Sequence, residues 1–241
     1  FIPEPEPEIE EIEEKEYYEN GNLKYEGITR LGLRVKEWKF YYENGKLQFI
    51  GDYKYGEQDG IWKIFYENGN IKNIANYDYG EIEEKGYYKS GKLKYTGTIW
   101  KGFRIKQWKS WYENGNLESD GEFNMKGEEE GEWRYYHQNG KIKNVANYEN
   151  GKLVGLVKNF DENGKFYSST YYEEGSNLTK WQFFYKDGKS IKKEGMAYDM
   201  GEEAEKRWIA TGEWKYYSKA GKLQKIETYE NGEIIRVEKF K

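Results

Sequence analysis

A glycine that returns about every two dozen residues decides most of what this chain can become. It stands at Gly21, Gly45, Gly69, Gly91, Gly115, Gly140, Gly164, Gly188 and Gly221, at intervals of 24, 24, 22, 24, 25, 24, 24 and 33. The stretch Trp38 to Tyr53, W-K-F-Y-Y-E-N-G-K-L-Q-F-I-G-D-Y, shows the unit at its clearest. An aromatic run enters an Asn-Gly pair and an apolar run leaves it. Two-residue hairpin loops favour Asn-Gly because both central residues need positive φ. The pair predicts a turn at Asn44-Gly45 with Glu43 opposite Lys46, Tyr42 opposite Leu47 and Phe40 opposite Phe49. Trp38 then falls opposite Gly51, where a missing side chain leaves room for the indole.

The rest of the unit repeats with the glycine. Four residues ahead of it stand Tyr17, Tyr41, Phe65, Tyr87, Trp111, Tyr136, Phe160, Phe184 and Tyr217. One place nearer stand Tyr18, Tyr42, Tyr66, Tyr88, Tyr112, His137 and Tyr185, with Asp161 and Ser218 breaking the rule. A ladder of Trp38, Trp62, Trp108, Trp133, Trp181 and Trp214 precedes them. Each unit encodes two short strands, and a lone hairpin is marginal in water, so units must lean on their neighbours. The reading is all-β: an elongated, twisted antiparallel β-meander of about nine hairpin repeats, some eighteen strands, over residues 17–241. I-K-N-I-A-N-Y from Ile71 returns as I-K-N-V-A-N-Y from Ile142, which suggests three-hairpin blocks at 17–86, 87–158 and 159–241. The pairs Gly56/Gly60, Gly127/Gly131 and Gly151/Gly155 are expected to permit the tight reversals between hairpins. Met200 to Trp214 carries a long insertion.

Composition narrows the function classes. Of 241 residues only 36% are hydrophobic, yet 19% are aromatic. Tyr and Trp suit a surface buried on one side and wet on the other. There is no Cys, so disulfides and thiolate metal sites are excluded. No apolar run is long enough to span a bilayer as a helix. Residues 1–16 hold eight Glu and one Lys and read as an acidic, Pro-rich arm or linker. The remainder is close to neutral, which argues against nucleic acid as a partner. The chain begins without Met, as a processed or trimmed form would. An extracytoplasmic or cell-surface setting is favoured over a cytoplasmic one.

Y-Y-E-N-G-K-L followed by Y-x-x-G-x-x-x-G-x-W resembles the MORN repeat, most closely the bacterial variety found in YwqK-type antitoxins. The resemblance covers residues 17–241. It implies stacked antiparallel hairpins and a non-catalytic scaffold or binding module, with membrane or lipid association for some members. The antitoxin label would imply neutralising a partner protein.

Catalytic chemistry finds little footing. The only His, His137, sits where most units place Tyr, and reads as a structural substitute. Glu128, Glu129 and Glu130 lack the alternating ligand spacing of a calcium loop. No cofactor or metal is expected. The Trp ladder and Gly45, Gly69, Gly115 and Gly140 read as the structural repeat. Trp100, Trp111, Trp208, Tyr41 and Tyr136 are the candidate binding surface, Trp100 and Trp208 being placed in connecting segments. The favoured function is a non-enzymatic scaffold for a protein partner. A carbohydrate- or cell-wall-binding module using exposed Trp and Tyr is the alternative. Edge strands offer self-association.

Overall fold

The computed structural model describes residues 10–201 and 208–241, and among them it contains nineteen strands and no helix. The described strands fall into two compact units, divided between Gly115 and Asn116. The first holds β1 (Glu11–Tyr17), β2 (Leu23–Arg30), β3 (Leu33–Tyr41), β4 (Leu47–Lys54), β5 (Glu57–Phe65), β6 (Ile71–Asp78), β7 (Glu81–Tyr87), β8 (Leu93–Trp100) and β9 (Phe103–Trp111). The second holds β10 (Leu117–Phe123), β11 (Glu129–Tyr136), β12 (Ile142–Glu149), β13 (Lys152–Phe160), β14 (Phe166–Tyr172), β15 (Leu178–Phe184), β16 (Ile191–Asp199), β17 (Trp208–Tyr217), β18 (Leu223–Glu230) and β19 (Glu233–Lys239). Within each unit every strand runs antiparallel to the next in sequence, so both are meanders.

The two kinds of turn lie the opposite way round from the expectation. At Asn44-Gly45 only Gly45 has positive φ, at 79°. The Gly45 N–H donates to Tyr42 O and the Tyr42 N–H to Lys46 O, each at 2.8 Å. This is a three-residue loop closed by a glycine bulge. Asn44 stays out of the left-handed region and accepts the Lys46 N–H at 3.0 Å through its side chain. The bulge places Tyr41, not Tyr42, opposite Leu47, then restores the expected register: Phe40 faces Phe49 and Trp38 faces Gly51. The two-residue turns lie on the other edge, at Leu31-Gly32, Tyr55-Gly56, Tyr79-Gly80, Lys101-Gly102, Asn150-Gly151 and Asn231-Gly232. In these both residues have positive φ.

The indoles of five ladder tryptophans, Trp38, Trp62, Trp108, Trp133 and Trp214, lie over a glycine of the preceding strand, and Trp38 does so although it faces Gly51 across its own hairpin. A Cβ on Gly27 would come within 2.2 Å of the Trp38 ring, and one on Gly51 within 2.3 Å of Trp62. Gly97, Gly121 and Gly195 serve Trp108, Trp133 and Trp214 in the same way. The cause is a second bulge. Between β2 and β3 the register slips by two residues around Gly27, and between β4 and β5 around Gly51. The slip leaves the carbonyl after each glycine to the indole: Trp38 Nε1 donates to Ile28 O at 3.0 Å, Trp62 to Asp52 O at 3.1 Å, and Trp214 to Met196 O at 3.0 Å. Gly60, Gly131 and Gly155, expected in reversals, carry the positive φ of this bulge instead.

Where the bulge is missing the Trp fails. The 22-residue interval before Gly91 is two residues short, and β6 and β7 pair without a slip. Glu84 stands in the Trp place and bonds Asn73. β14 and β15 also pair without a slip, and there Trp181 is only half-buried and turns its Nε1 to Thr179 on its own strand, 2.9 Å away.

Successive hairpins are tied through the second aromatic of the repeat. Tyr18 donates to Tyr41 O, Tyr42 to Phe65 O, Tyr66 to Tyr87 O and Tyr88 to Trp111 O, at 2.7–2.8 Å. Turn asparagines add a second rung, as when Asn20 and Asn22 both donate to Glu43 O. The acidic segment joins this architecture from Glu11 onward, because cross-strand partners offset its charge. Lys24 bonds Glu16, Thr29 bonds Glu14, and Lys36 pairs with Glu11. The remainder of the expected arm, residues 1–9, lies outside the described residues.

Candidate interaction surface

In the first unit the aromatic face closes over itself. Phe40 stacks on Phe49 at 4.2 Å between ring centroids, and Tyr25, Trp38, Tyr53 and Trp62 continue the row. Trp38 retains 0% of its surface although the sheet is one layer thick. The chain supplies its own cover: the Arg34 guanidinium lies 4.5 Å from the Trp38 ring centroid and bonds the Tyr53 hydroxyl, and Arg104 caps Trp108 at 4.7 Å. In the second unit the Lys193 ammonium lies over Phe183 and Trp214, where burial pulls its pKa down. These cations occupy the stacking places that a sugar or a choline group would need.

The edge formed by the two-residue turns is different. In the first unit its tips are Leu31, Tyr55, Tyr79 and Lys101, with Leu33 and Phe103 beside them. Leu31 is 77% exposed, Tyr55 70% and Tyr79 fully so. Consecutive tips are two strands apart, about 10 Å. Each tip holds a bulky residue at positive φ, a conformation that costs about 1–2 kcal/mol for a side chain with a Cβ. The same chain uses asparagine, which tolerates that region, at Asn150 and Asn231. The surrounding charges are mixed, with Arg30 and Lys54 near two tips and Asp78 and Glu81 near a third.

The five sequence-chosen candidates do not converge on one site. Trp100 ends β8 rather than lying in a connection. It faces Phe103 across the turn with Lys101 over its ring at 4.3 Å, which puts it in the tip row. Trp208 likewise opens β17, where it packs edge-on against Trp181 at 4.8 Å and against Tyr172. Trp111 ends β9 and gives its carbonyl to Tyr88. Tyr41 donates to Glu26, and burial followed by that carboxylate pushes its phenol up to about 12. Tyr136 ends β11 at the same repeat place, half-buried. Leu31, Tyr55 and Tyr79 were missed, although the signal was present: each directly precedes a turn glycine where asparagine is the cheaper choice.

His137 places Nε2 2.9 Å from Phe160 O, the bond a Tyr makes in other units. Glu128 and Glu130 are engaged locally, with Asn124 and with the Asn150 N–H. Among the described residues no three His, Asp or Glu side chains are grouped to hold a metal.

The model of one family, described as the MORN repeat variant, matches residues 10–29, 34–55, 58–79, 81–101, 106–125, 129–150 and 210–231. The chain belongs to the MORN repeat family. MORN repeats are non-enzymatic modules that contact proteins or membranes. The stretch between residues 150 and 210 lies outside the matched MORN segments, and it contains the unslipped β14–β15 pair and half-buried Trp181. No curated protein matches this MORN chain. Among solved structures it is similar to chains in the crystal structures of TcdB2-TccC3-TEV, at 10% identity and TM-score 0.21, and TcdB2-TccC3-Cdc42, at 12% and 0.19. A Tc holotoxin pore from Photorhabdus luminescens gives 11% and 0.19. These matches cover 91%, 91% and 95% of this chain but only 14%, 17% and 17% of those chains, and at such TM-scores they carry no argument.

Proposed function

We propose that the protein is a non-enzymatic scaffold that binds a protein partner along the two-residue-turn edge of its first unit. The carrying observation is the row Leu31, Tyr55, Tyr79: large side chains held mostly or fully out in water, in a backbone conformation that disfavours them. Stability alone would place asparagine there, so the row is best explained by contact. Tyrosine at such positions supplies wide contact area for little rotamer entropy. The mixed charge around the tips favours a protein surface over an anionic bilayer. Arg34, Arg104 and Lys193 covering the aromatic rows favour it over a glycan. The test is the triple exchange Leu31→Asn, Tyr55→Asn, Tyr79→Asn in the whole chain. A photo-crosslinker at residue 79 should yield one defined protein adduct in the source cell, lost when Leu31 and Tyr55 become Asn. A crosslinker at residue 114, on the opposite edge, should yield none. Equal labelling from both edges would refute the reading, and sedimentation with vesicles that depends on the tips would point to a membrane instead.

A further inference from the structure

The second unit breaks the repeat at its two-residue-turn edge, and the break makes a cleft. β14 and β15 are joined by five residues, 173–177, where the regular connections use two. The loop is fastened to the end of β16 by the Asp199 N–H donating to Asn177 O at 2.7 Å, and it lines the same cleft as the Asn150-Gly151 turn. Between them opens a cavity of about 950 Å³, a size at which pockets hold ligands. Its floor is apolar: Tyr148, Leu153 and Tyr172. Tyr172 is buried and belongs to the packed cluster of Ala146, Val157 and Trp208, so the floor is rigid. Among the described residues the rim carries the carboxylates Glu149, Glu173 and Glu174 and the cation Lys152, beside Asp199, whose Oδ1 accepts the Gly201 N–H. No described residue forms an ion pair with Glu149, Glu173 or Glu174.

We infer that this cleft binds a polypeptide segment in which arginine or lysine neighbours an apolar side chain. Two features choose that class. The floor takes an apolar group while the rim takes cations around it, which is the charge complement of the lining. The carboxylates are spread round the rim and do not group as metal ligands do, so they suit several separated cations better than one ion. The inference rests on the reading of the chain as a protein-binding scaffold but uses a different unit, so each can fail alone.

The probe is an acetylated, amidated pentapeptide, Ala-Arg-Leu-Arg-Ala, titrated calorimetrically into the whole chain, with the Arg→Gln peptide as its control. The cationic peptide should bind at least tenfold more tightly than the neutral one and weaken as salt rises. The double exchange E173Q/E174Q, at two exposed side chains, should weaken it at least fivefold. Tip exchange at Leu31, Tyr55 and Tyr79 should leave it unchanged, which separates this site from the first. Absence of binding by the cationic peptide, equal binding by both peptides, or indifference to E173Q/E174Q would each overturn the inference.

Discussion

Replacing Gly51 by alanine tests how this single-layer sheet buries its tryptophans. The new Cβ would sit 2.3 Å from Cδ2 of Trp62. Ordinary contact needs about 3.4 Å, so the indole must retreat by about 1 Å. Trp62 is almost completely buried, and its Nε1 reaches Asp52 O at 3.1 Å, so a retreat of that size also breaks the bond. Overpacking of a tight site costs about 1–3 kcal/mol. A lost hydrogen bond adds about 1 kcal/mol. Together they predict a destabilisation of about 2–4 kcal/mol, read as a lower urea midpoint at unchanged slope. Gly60→Ala is the control. Gly60 has φ of 64° and nothing within 4 Å of its missing side chain, so only backbone strain of about 1–2 kcal/mol should appear. Exchanging Trp62 for Leu should recover part of the Gly51→Ala loss but none of the Gly60→Ala loss, because only the first pair is in contact. The reasoning fails if Gly51→Ala costs no more than Gly60→Ala while the Trp62 indole N–H resonance stays where it was.

Other consequences follow from the same geometry. Tyr79→Asn should raise stability by about 1 kcal/mol, since it relieves left-handed strain at a fully exposed tip; a loss in urea unfolding would contradict the assignment of strain. Tyr42→Phe removes the donor to Phe65 O and should cost about 1 kcal/mol, with faster amide exchange at Phe65's neighbours across the hairpin junction. His137→Tyr keeps a donor at that place and should leave the urea midpoint within about 0.5 kcal/mol of the original. The Lys225 ammonium, then the Tyr216 and Tyr229 hydroxyls, hold the Glu227 carboxyl down to about 2 from 4.5. The unfolded chain therefore takes up this proton first, so the stabilisation is complete above about pH 4.5 and is lost as pH falls toward about 2. Glu227→Gln should flatten that acid limb in a pH series of thermal melts.

Much of the strand frame was legible in the residues, and the exceptions have local causes. The spacing of Gly21, Gly45 and the later turn glycines, with aromatics alternating ahead of them, specifies hairpins, because a period of two and a residue free to take positive φ are properties of the chain itself. The body register Phe40–Phe49 and Trp38–Gly51 follows from them. The sequence was misread at Asn44, where asparagine's taste for positive φ suggested one turn and its side-chain hydrogen bond serves another. The acidic composition of the first residues hid β1, whose Glu16 and Glu11 pair with Lys24 and Lys36 and whose Glu14 accepts the Thr29 hydroxyl.

The chain by itself thus determined that it would be all-β, built of repeated hairpins, with a turn glycine at a fixed place in each of nine units and a tryptophan at a fixed place in six. Only the assembled sheet decided which glycine receives which indole. That choice depends on a two-residue slip between adjacent strands, and a slip exists only once two strands are paired. The same holds for Leu31, Tyr55 and Tyr79: the residues are plain in the sequence, but their standing in one row awaits the stacking of hairpins that brings alternate turns to a common edge.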